Sequence, residues 1–162
     1  MSGSGEVTVR EAVAGDAPAV ATMLHDFNTE FGEPSPGAEW LATRVGEMIG
    51  RRATFWLLAF DSDRTKPVGM AQVSLQETVW SERPVVHLDE FYVVPDRRGG
   101  GIGRLLLGGV LGLGERHDAA WFSLETGEDD RAARHLYERM GFVNRVETEG
   151  QMLYYERRSS GP

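Results

Sequence analysis

The 162-residue chain has no cysteine. That rules out a disulfide framework, a thiolate nucleophile and any cysteine-bound zinc site. Positive charge is scarce: 17 lysines and arginines against 25 acids leave a net charge of −8. No basic stripe offsets that balance, which argues against a nucleic-acid partner. Long hydrophobic runs are missing as well. The longest uncharged apolar stretch, Leu105 to Gly114, is rich in glycine and falls far short of the roughly 20 residues a membrane span needs, so no membrane association is expected. The opening Met-Ser-Gly-Ser-Gly-Glu has neither a basic nor an apolar region. No secretory leader is expected, and the cytoplasm is the default location. His25, His87, His117 and His135 lack any His-x-x-x-His spacing, so no metal site is expected. No Gly-x-Ser-x-Gly elbow is present, which makes a serine hydrolase improbable.

What the chain does have is concentrated in residues 85–107, which read as a strand, a basic glycine-rich loop and a helix opening near Gly101. Phe91, Tyr92, Val93 and Val94 favour a strand. Pro95 has no N–H for a ladder and should end it. Arg97 and Arg98 follow, then Gly99, Gly100, Gly101 and Gly103. Glycines let main-chain N–H groups approach a ligand closely, and a helix start has free N–H groups and a positive dipole end. The stretch is therefore a candidate pyrophosphate cradle, with two arginines adding charge. It lacks the Gly-Lys-Ser/Thr ending of a P-loop. The dinucleotide fingerprint fails twice, because its third small residue falls on Arg104 or Leu106. The acidic residue such fingerprints carry about twenty positions on has a candidate in Glu125, so a dinucleotide-binding reading stays open.

Hydrophobic periodicity orders the rest of the chain. Val7–Arg10 reads as a strand. Asp16 and Pro18 open a helix whose stripe is Val20, Leu24, Phe27 and Phe31. After a loop at 32–37, a second helix over 38–49 buries Leu41, Val45 and Met48. Ala53–Phe60 reads as a central strand covered on both faces. It forms a hairpin with alternating Val68–Thr78 through a polar turn. Val79–Pro84 reads as a wider connection. A helix over 102–116 carries Gly108, Gly109, Gly112 and Gly114, each weakening it by about 1 kcal/mol relative to alanine and suggesting close packing on the sheet. Ala119–Glu125 is the next strand. Asp129 or Asp130 caps a helix with inner residues Ala133, Leu136, Tyr137 and Met140, ended by Gly141. Phe142–Val146 and Met152–Tyr155 read as a closing hairpin. Residues 1–6 and 157–162 should fray.

Arg98-x-x-Gly101-x-Gly103 behind Val93-x-Pro95 resembles the acyl-CoA signature of the GNAT superfamily of N-acetyltransferases. A second block, Asp130-x-x-Ala133-x-x-x-Tyr137-x-x-x-Gly141-Phe142, is also similar, although many relatives carry asparagine where Asp130 stands. The resemblance implies one α+β domain over 1–162. Its mixed, mostly antiparallel sheet would have about seven strands flanked by about four helices. It implies acetyl-CoA as co-substrate, no metal, direct transfer of acetyl to an amine, and often a homodimer. The cofactor contacts it implies are Tyr92, Val93, Val94, Arg98, Gly99, Gly100, Gly101, Ile102, Gly103, Arg104, Asp130 and Tyr137. Tyr137 would be the acid that protonates the departing thiolate. A non-catalytic acyl-CoA-binding module on the same fold is the alternative from another class.

An amine attacks only when deprotonated, so a base is needed. Asp89 and Glu90 lie on the central strand, one on each face by period two, with Asp89 sharing the parity of Phe91 and Val93. Asp89 stands where the spermidine/spermine and aminoglycoside branches that this strand resembles carry an acceptor-side acid, and it is preferred over Glu90. In the fold implied by the resemblance the first two helices wall the acceptor side. His25, Asp26, Glu30 and Glu33 would then join Asp89 and Glu90 in an acidic mouth for a cationic small-molecule or peptide amine.

Overall fold

A computed structural model of the protein describes residues 6–62, 64–150 and 153–159. The chain divides into two compact units, Met1–Glu125 and Thr126–Pro162.

The first unit is a five-stranded sheet with three helices. Its strands are β1 (Val7–Glu11), β2 (Thr54–Asp61), β3 (Pro67–Thr78), β4 (Ser81–Val93) and β5 (Trp121–Leu124), and they lie in chain order across the sheet. The first four pair antiparallel, while β5 runs parallel to β4. Helices α1 (Ala17–Glu30) and α2 (Ala38–Met48) precede β2, and α3 (Ile102–Arg116) links β4 to β5. Period two divides the sheet residues between two cores. Trp56, Leu58, Met70 and Tyr92 pack with Ala17, Val20 and Met23 of α1 and Val45 of α2. On the other face a side chain at Gly69 would meet Leu106 and Ile102 of α3, and one at Gly109 would meet Leu57. Leu58, Met70, Leu106, Leu107 and Leu113 are fully buried, each stabilising the fold by about 1.5–3 kcal/mol relative to exposure.

The second unit contains α4 (Arg131–Arg139) and the single turn α5 (Val146–Glu149). Asp130 caps α4 by accepting the N–H of Ala133 at 3.0 Å, as the sequence leads one to expect.

Five expectations are corrected. Among the described residues the sheet has five strands, and no closing hairpin forms. Asn144 accepts the Val146 N–H at 3.1 Å and Arg145 pairs with Glu149. These contacts turn the chain into α5 instead of extending it. Leu153–Tyr155 lie outside any strand, and Met152 is outside the described residues, as are 1–5 and 160–162 of the expected frayed ends. The connection Val79–Pro84 is tight instead of wide. Thr78 pairs with Ser81 across Val79 and Trp80, and the Thr78 hydroxyl oxygen accepts the Trp80 N–H at 3.2 Å. Asp16 makes no side-chain cap on α1. Its carboxylate accepts from Arg10 at 2.7 Å and from the Val13 N–H at 2.8 Å, and Arg10 holds it below the ordinary carboxyl range. Phe31 leaves the buried stripe and is 57% exposed, edge-on to Phe27.

Candidate active site

The site is built where β4 loses its neighbour. The parallel ladder with β5 stops at Leu88 opposite Leu124, so, among the described residues, 89–93 of β4 pair with β3 alone. Val94 N–H donates to the Val68 carbonyl at 3.0 Å. Hydrogen-bonded pairs alternate with non-bonded ones along an antiparallel ladder. Val93, opposite Gly69, therefore points its own N–H and C=O away from β3 and into the gap past the end of β5. Of the main-chain groups singled out in the sequence, those of Val93 face this gap, while the Val94 N–H is committed to β3.

Directly after Val93 the chain makes a short 3-10 turn over Pro95–Arg97 and enters the glycine loop. Gly99 and Gly101 have φ of +79° and +85°, a left-handed conformation that a β-carbon disfavours. Gly101 is the N-cap of α3, and no side chain caps that end. The first-turn N–H groups at Ile102, Gly103 and Arg104 thus have no intrahelical acceptor and lie at the positive dipole end of α3. Such an uncapped helix start can accept an anion on main-chain N–H groups.

The two loop arginines do not add free charge to it. Arg97 pairs with buried Asp61 at 3.2 Å. Arg98 grips both carboxylate oxygens of Glu30, the last residue of α1, at 2.5 and 2.7 Å. Asp96 pairs with Arg64. The loop is thereby braced at three points. Arg104 is exposed on α3 with no carboxylate partner among the described residues.

The carboxyl pair is arranged differently from strict alternation. Gln72 lies opposite Glu90, whereas the next β3 residue, Val73, lies opposite Leu88. Asp89 is the extra residue of a β-bulge, which re-aims side chains. Ser74 lies opposite His87 and shares a face with Gln72, so His87, Asp89 and Glu90 also share that face. It is the face of Met70 and Tyr92, toward α1 and α2. Asp89 and Glu90 are therefore neighbours on one side, and Phe91 and Val93 belong to the other. Ser74 donates to Asp89 at 3.2 Å, and His87 Nδ1 lies 2.8 Å from the Ser123 hydroxyl. Asp89 is exposed at residue level, yet crowding by protein atoms raises its carboxyl pKa against the Ser74 hydrogen bond. Glu90 is half-buried. Its pKa is raised first by burial and then by the charge of Asp89. On the same face Trp56 lies opposite Gln72, and its buried indole N–H has no acceptor among the described residues.

The expected acidic mouth is only partly assembled from free charge. Glu30 is held by Arg98, which keeps its carboxyl below the usual range. His25 lies 2.8 Å from the Ser35 hydroxyl. Asp26 and Glu33 are exposed. Sequence reading missed Ser74, Ser123 and the Glu30 fork. The polar parity of Gln72 and Ser74 on β3 was the visible signal for Ser74.

In the second unit Asp130 is engaged at the α4 cap. Tyr137 is buried, with Phe142 edge-on at 6.1 Å between ring centroids. Burial, then the charge of Asp130, pushes its hydroxyl up to about 12. Among the described residues no group of three or more histidines or acids is placed to hold a metal, and no helix is long and apolar enough to cross a membrane.

The site therefore combines a strand edge left open with an uncapped helix start, on a mixed α+β sheet. Residues 20–142 match the profile of the Acetyltransferase (GNAT) family, and the chain belongs to that family. It is 26% identical over 136 residues, 84% of its length and 89% of the relative's, to an uncharacterized N-acetyltransferase of Bacillus subtilis (strain 168), YhfO. A crystal structure assigned as an acetyltransferase from Arthrobacter sp. FB24 is 41% identical, with a TM-score of 0.81 and 98% and 99% of the two chains covered. AAC(6')-Iy, solved with the bisubstrate analog CoA-S-monomethyl-acetylneamine, shares the fold at 16% identity and a TM-score of 0.78, with 96% and 100% covered. The chain is thus an acetyltransferase, and the dinucleotide-binding and non-catalytic alternatives are set aside.

Proposed function

We propose that this protein moves the acetyl group of acetyl-CoA directly to a primary amine of a cationic small molecule or peptide. The observation that carries the reading is the gap at the end of β4. Val93 turns its main-chain groups toward that gap, and the uncapped first turn of α3 follows within ten residues. In this reading the pyrophosphate rests on main-chain N–H groups from Gly99 to Arg104, with Arg104 adding charge. The pantetheine arm lies along Tyr92–Val94. The Val93 N–H donates to the acetyl oxygen as negative charge develops on it.

Asp89 and Glu90 form the base. Their raised pKa values make them better proton acceptors than ordinary carboxylates. Asp89, oriented by Ser74, takes the ammonium proton. The amine then attacks the thioester carbon, the adduct nitrogen gives up its extra proton to solvent, and the C–S bond breaks as the oxyanion collapses to the neutral amide. Tyr137 and Asp130 are assigned by the motif resemblance. A tyrosine at about 12 lies roughly 3.5 units above a thiol near 8.5, so complete proton transfer to the thiolate is uphill by about 5 kcal/mol. Tyr137 therefore serves as a hydrogen-bond donor to the departing sulfur, which takes its final proton from solvent.

The acidic balance of the chain and the paired carboxyls on the α1/α2 face support a cationic acceptor. The reading also takes both units as one domain, spanned by the family match, in a cytoplasmic protein. It keeps the homodimer that the resemblance implies, which a light-scattering mass checks. Thermal melts with acetyl-CoA, CoA and NAD test the donor. A ligand at about 100 times its Kd stabilises by roughly 2.7 kcal/mol. The reading expects that response from acetyl-CoA and CoA, and a response from NAD alone overturns it.

A further inference from the structure

Arg98 occupies the motif position expected to serve the phosphate cradle, yet its guanidinium is engaged by protein. Nη1 and Nη2 hold the two oxygens of Glu30 at 2.5 and 2.7 Å, and Nε donates to the Val93 carbonyl at 2.9 Å. The guanidinium carbon lies 5.4 Å from the centre of the Tyr92 ring, and Arg98 first, with the Tyr92 hydroxyl a lesser help, holds the Glu30 carboxylate in its charged form. A bidentate fork fixes the guanidinium plane, and the pair is neutral as a whole. Glu30 and Arg98 are 68 residues apart in the chain. One joint therefore ties the end of α1 to the glycine loop and to the open end of β4.

We propose that Glu30, acting through Arg98, is a positioning residue for acetyl transfer: the fork sets the Val93 peptide and does not read the phosphates of the donor. The proposal rests on the reading above, in which Val93 faces the acetyl group. Both main-chain groups of Val93 point into the gap. A bare carbonyl there would present lone pairs to the developing oxyanion and to the anionic donor. Arg98 Nε covers that carbonyl and leaves the Val93 N–H as the group that meets the substrate. Only a planar guanidinium can fork a carboxylate and cap a carbonyl at once, so lysine does not substitute. Glu30 fixes where the plane lies. A shift of about 1 Å at a reacting centre is enough to cost up to about a hundredfold in rate.

The test compares wild type, Glu30→Gln, Arg98→Lys and the double variant Glu30→Gln/Arg98→Gln with two donors. One donor is acetyl-CoA; the other is S-acetylpantetheine, which has no phosphate. The double variant removes a neutral pair, so CoA affinity by calorimetry should stay within about threefold of wild type. Its kcat should fall about tenfold or more with both donors alike. Glu30→Gln alone should reproduce most of that fall without weaker CoA binding, and Arg98→Lys should not restore the rate. Should the double variant be too unstable to assay, Glu30→Gln, which keeps the side-chain shape, carries the same contrast. A loss of CoA affinity of about tenfold in the double variant, with an unchanged S-acetylpantetheine rate, assigns Arg98 to the phosphates and overturns the proposal. So does an unchanged kcat with both donors, which reduces the fork to a surface ion pair. Wild-type protein that transfers acetyl from neither donor overturns the function reading, and this proposal falls with it.

Discussion

Helix α3 carries glycines at 108, 109, 112 and 114, and their surroundings divide them into two kinds. A methyl group added at exposed Gly108 meets nothing within 4 Å, and at Gly112 it meets only the tip of Arg116 at 3.8 Å. At Gly114 the same methyl lies 2.3 Å from Cε1 and Cζ of Phe122 on β5, so the ring has to leave its place. Alanine in a helix interior is better than glycine by about 1 kcal/mol. With nothing to offset that gain, Gly108→Ala should stabilise the protein by about 1 kcal/mol, or roughly 2–4 °C in Tm. Forcing a methyl into a filled core costs about 1–3 kcal/mol. Gly114 is in the last turn, where the helical gain is smaller, so Gly114→Ala should destabilise by about 1–2 kcal/mol. Urea unfolding of the two variants against wild type measures both. The packing argument is refuted if Gly114→Ala proves as stable as Gly108→Ala, or if Gly108→Ala gains nothing.

Three further outcomes follow from the site. Tyr137→Phe should slow turnover while CoA affinity by calorimetry stays unchanged, and an equal rate would retire the hydroxyl as the group that meets the sulfur. Gly101→Glu sets a β-carbon at φ +85° and a carboxylate beside the cradle, so titrated CoA should no longer bind; retained affinity would count against the loop as the cradle. Glu90 holds its proton more tightly folded than unfolded, so its contribution to stability is present below the ordinary carboxyl value of 4.5 and is lost as pH rises through the raised one. Glu90→Gln should therefore raise Tm at pH 7 and leave it unchanged below about pH 4. The acid limb of wild-type kcat/KM should lie above the usual carboxyl range, and a gain in Tm that is the same at both pH values would contradict the burial argument.

The elements of the first unit were legible because their periodicities are strong. The apolar run before Phe60, the alternation through Gln72 and Ser74, and the Pro95 stop all follow from local chemistry. The turns of the glycine loop were legible too, since Gly99 and Gly101 take left-handed φ that only glycine adopts readily. What the sequence hid depends on register and long-range pairing. The bulge at Asp89 puts two carboxyls on one face where simple alternation separates them, and only the offset between Gln72 and Val73 reveals it. Glu30 reads as a solvated helix acid until the fold brings Arg98 to it. The closing hairpin failed for a local reason, because Asn144 and the Arg145–Glu149 pair favour a helical turn over an apolar stretch too short to resist.

Amine acetylation itself is the most direct measurement of the central claim. Wild-type protein, acetyl-CoA and either a cationic or a neutral amine of similar size are followed by CoA release and by the mass of the product, at low and high salt. The account predicts one acetylated amine for each CoA released. It also predicts a higher kcat/KM for the cationic amine and a cationic advantage that shrinks as salt screens the carboxyl face. Amine-independent CoA release, a preference for the neutral amine, or a cationic preference that salt leaves untouched would contradict it.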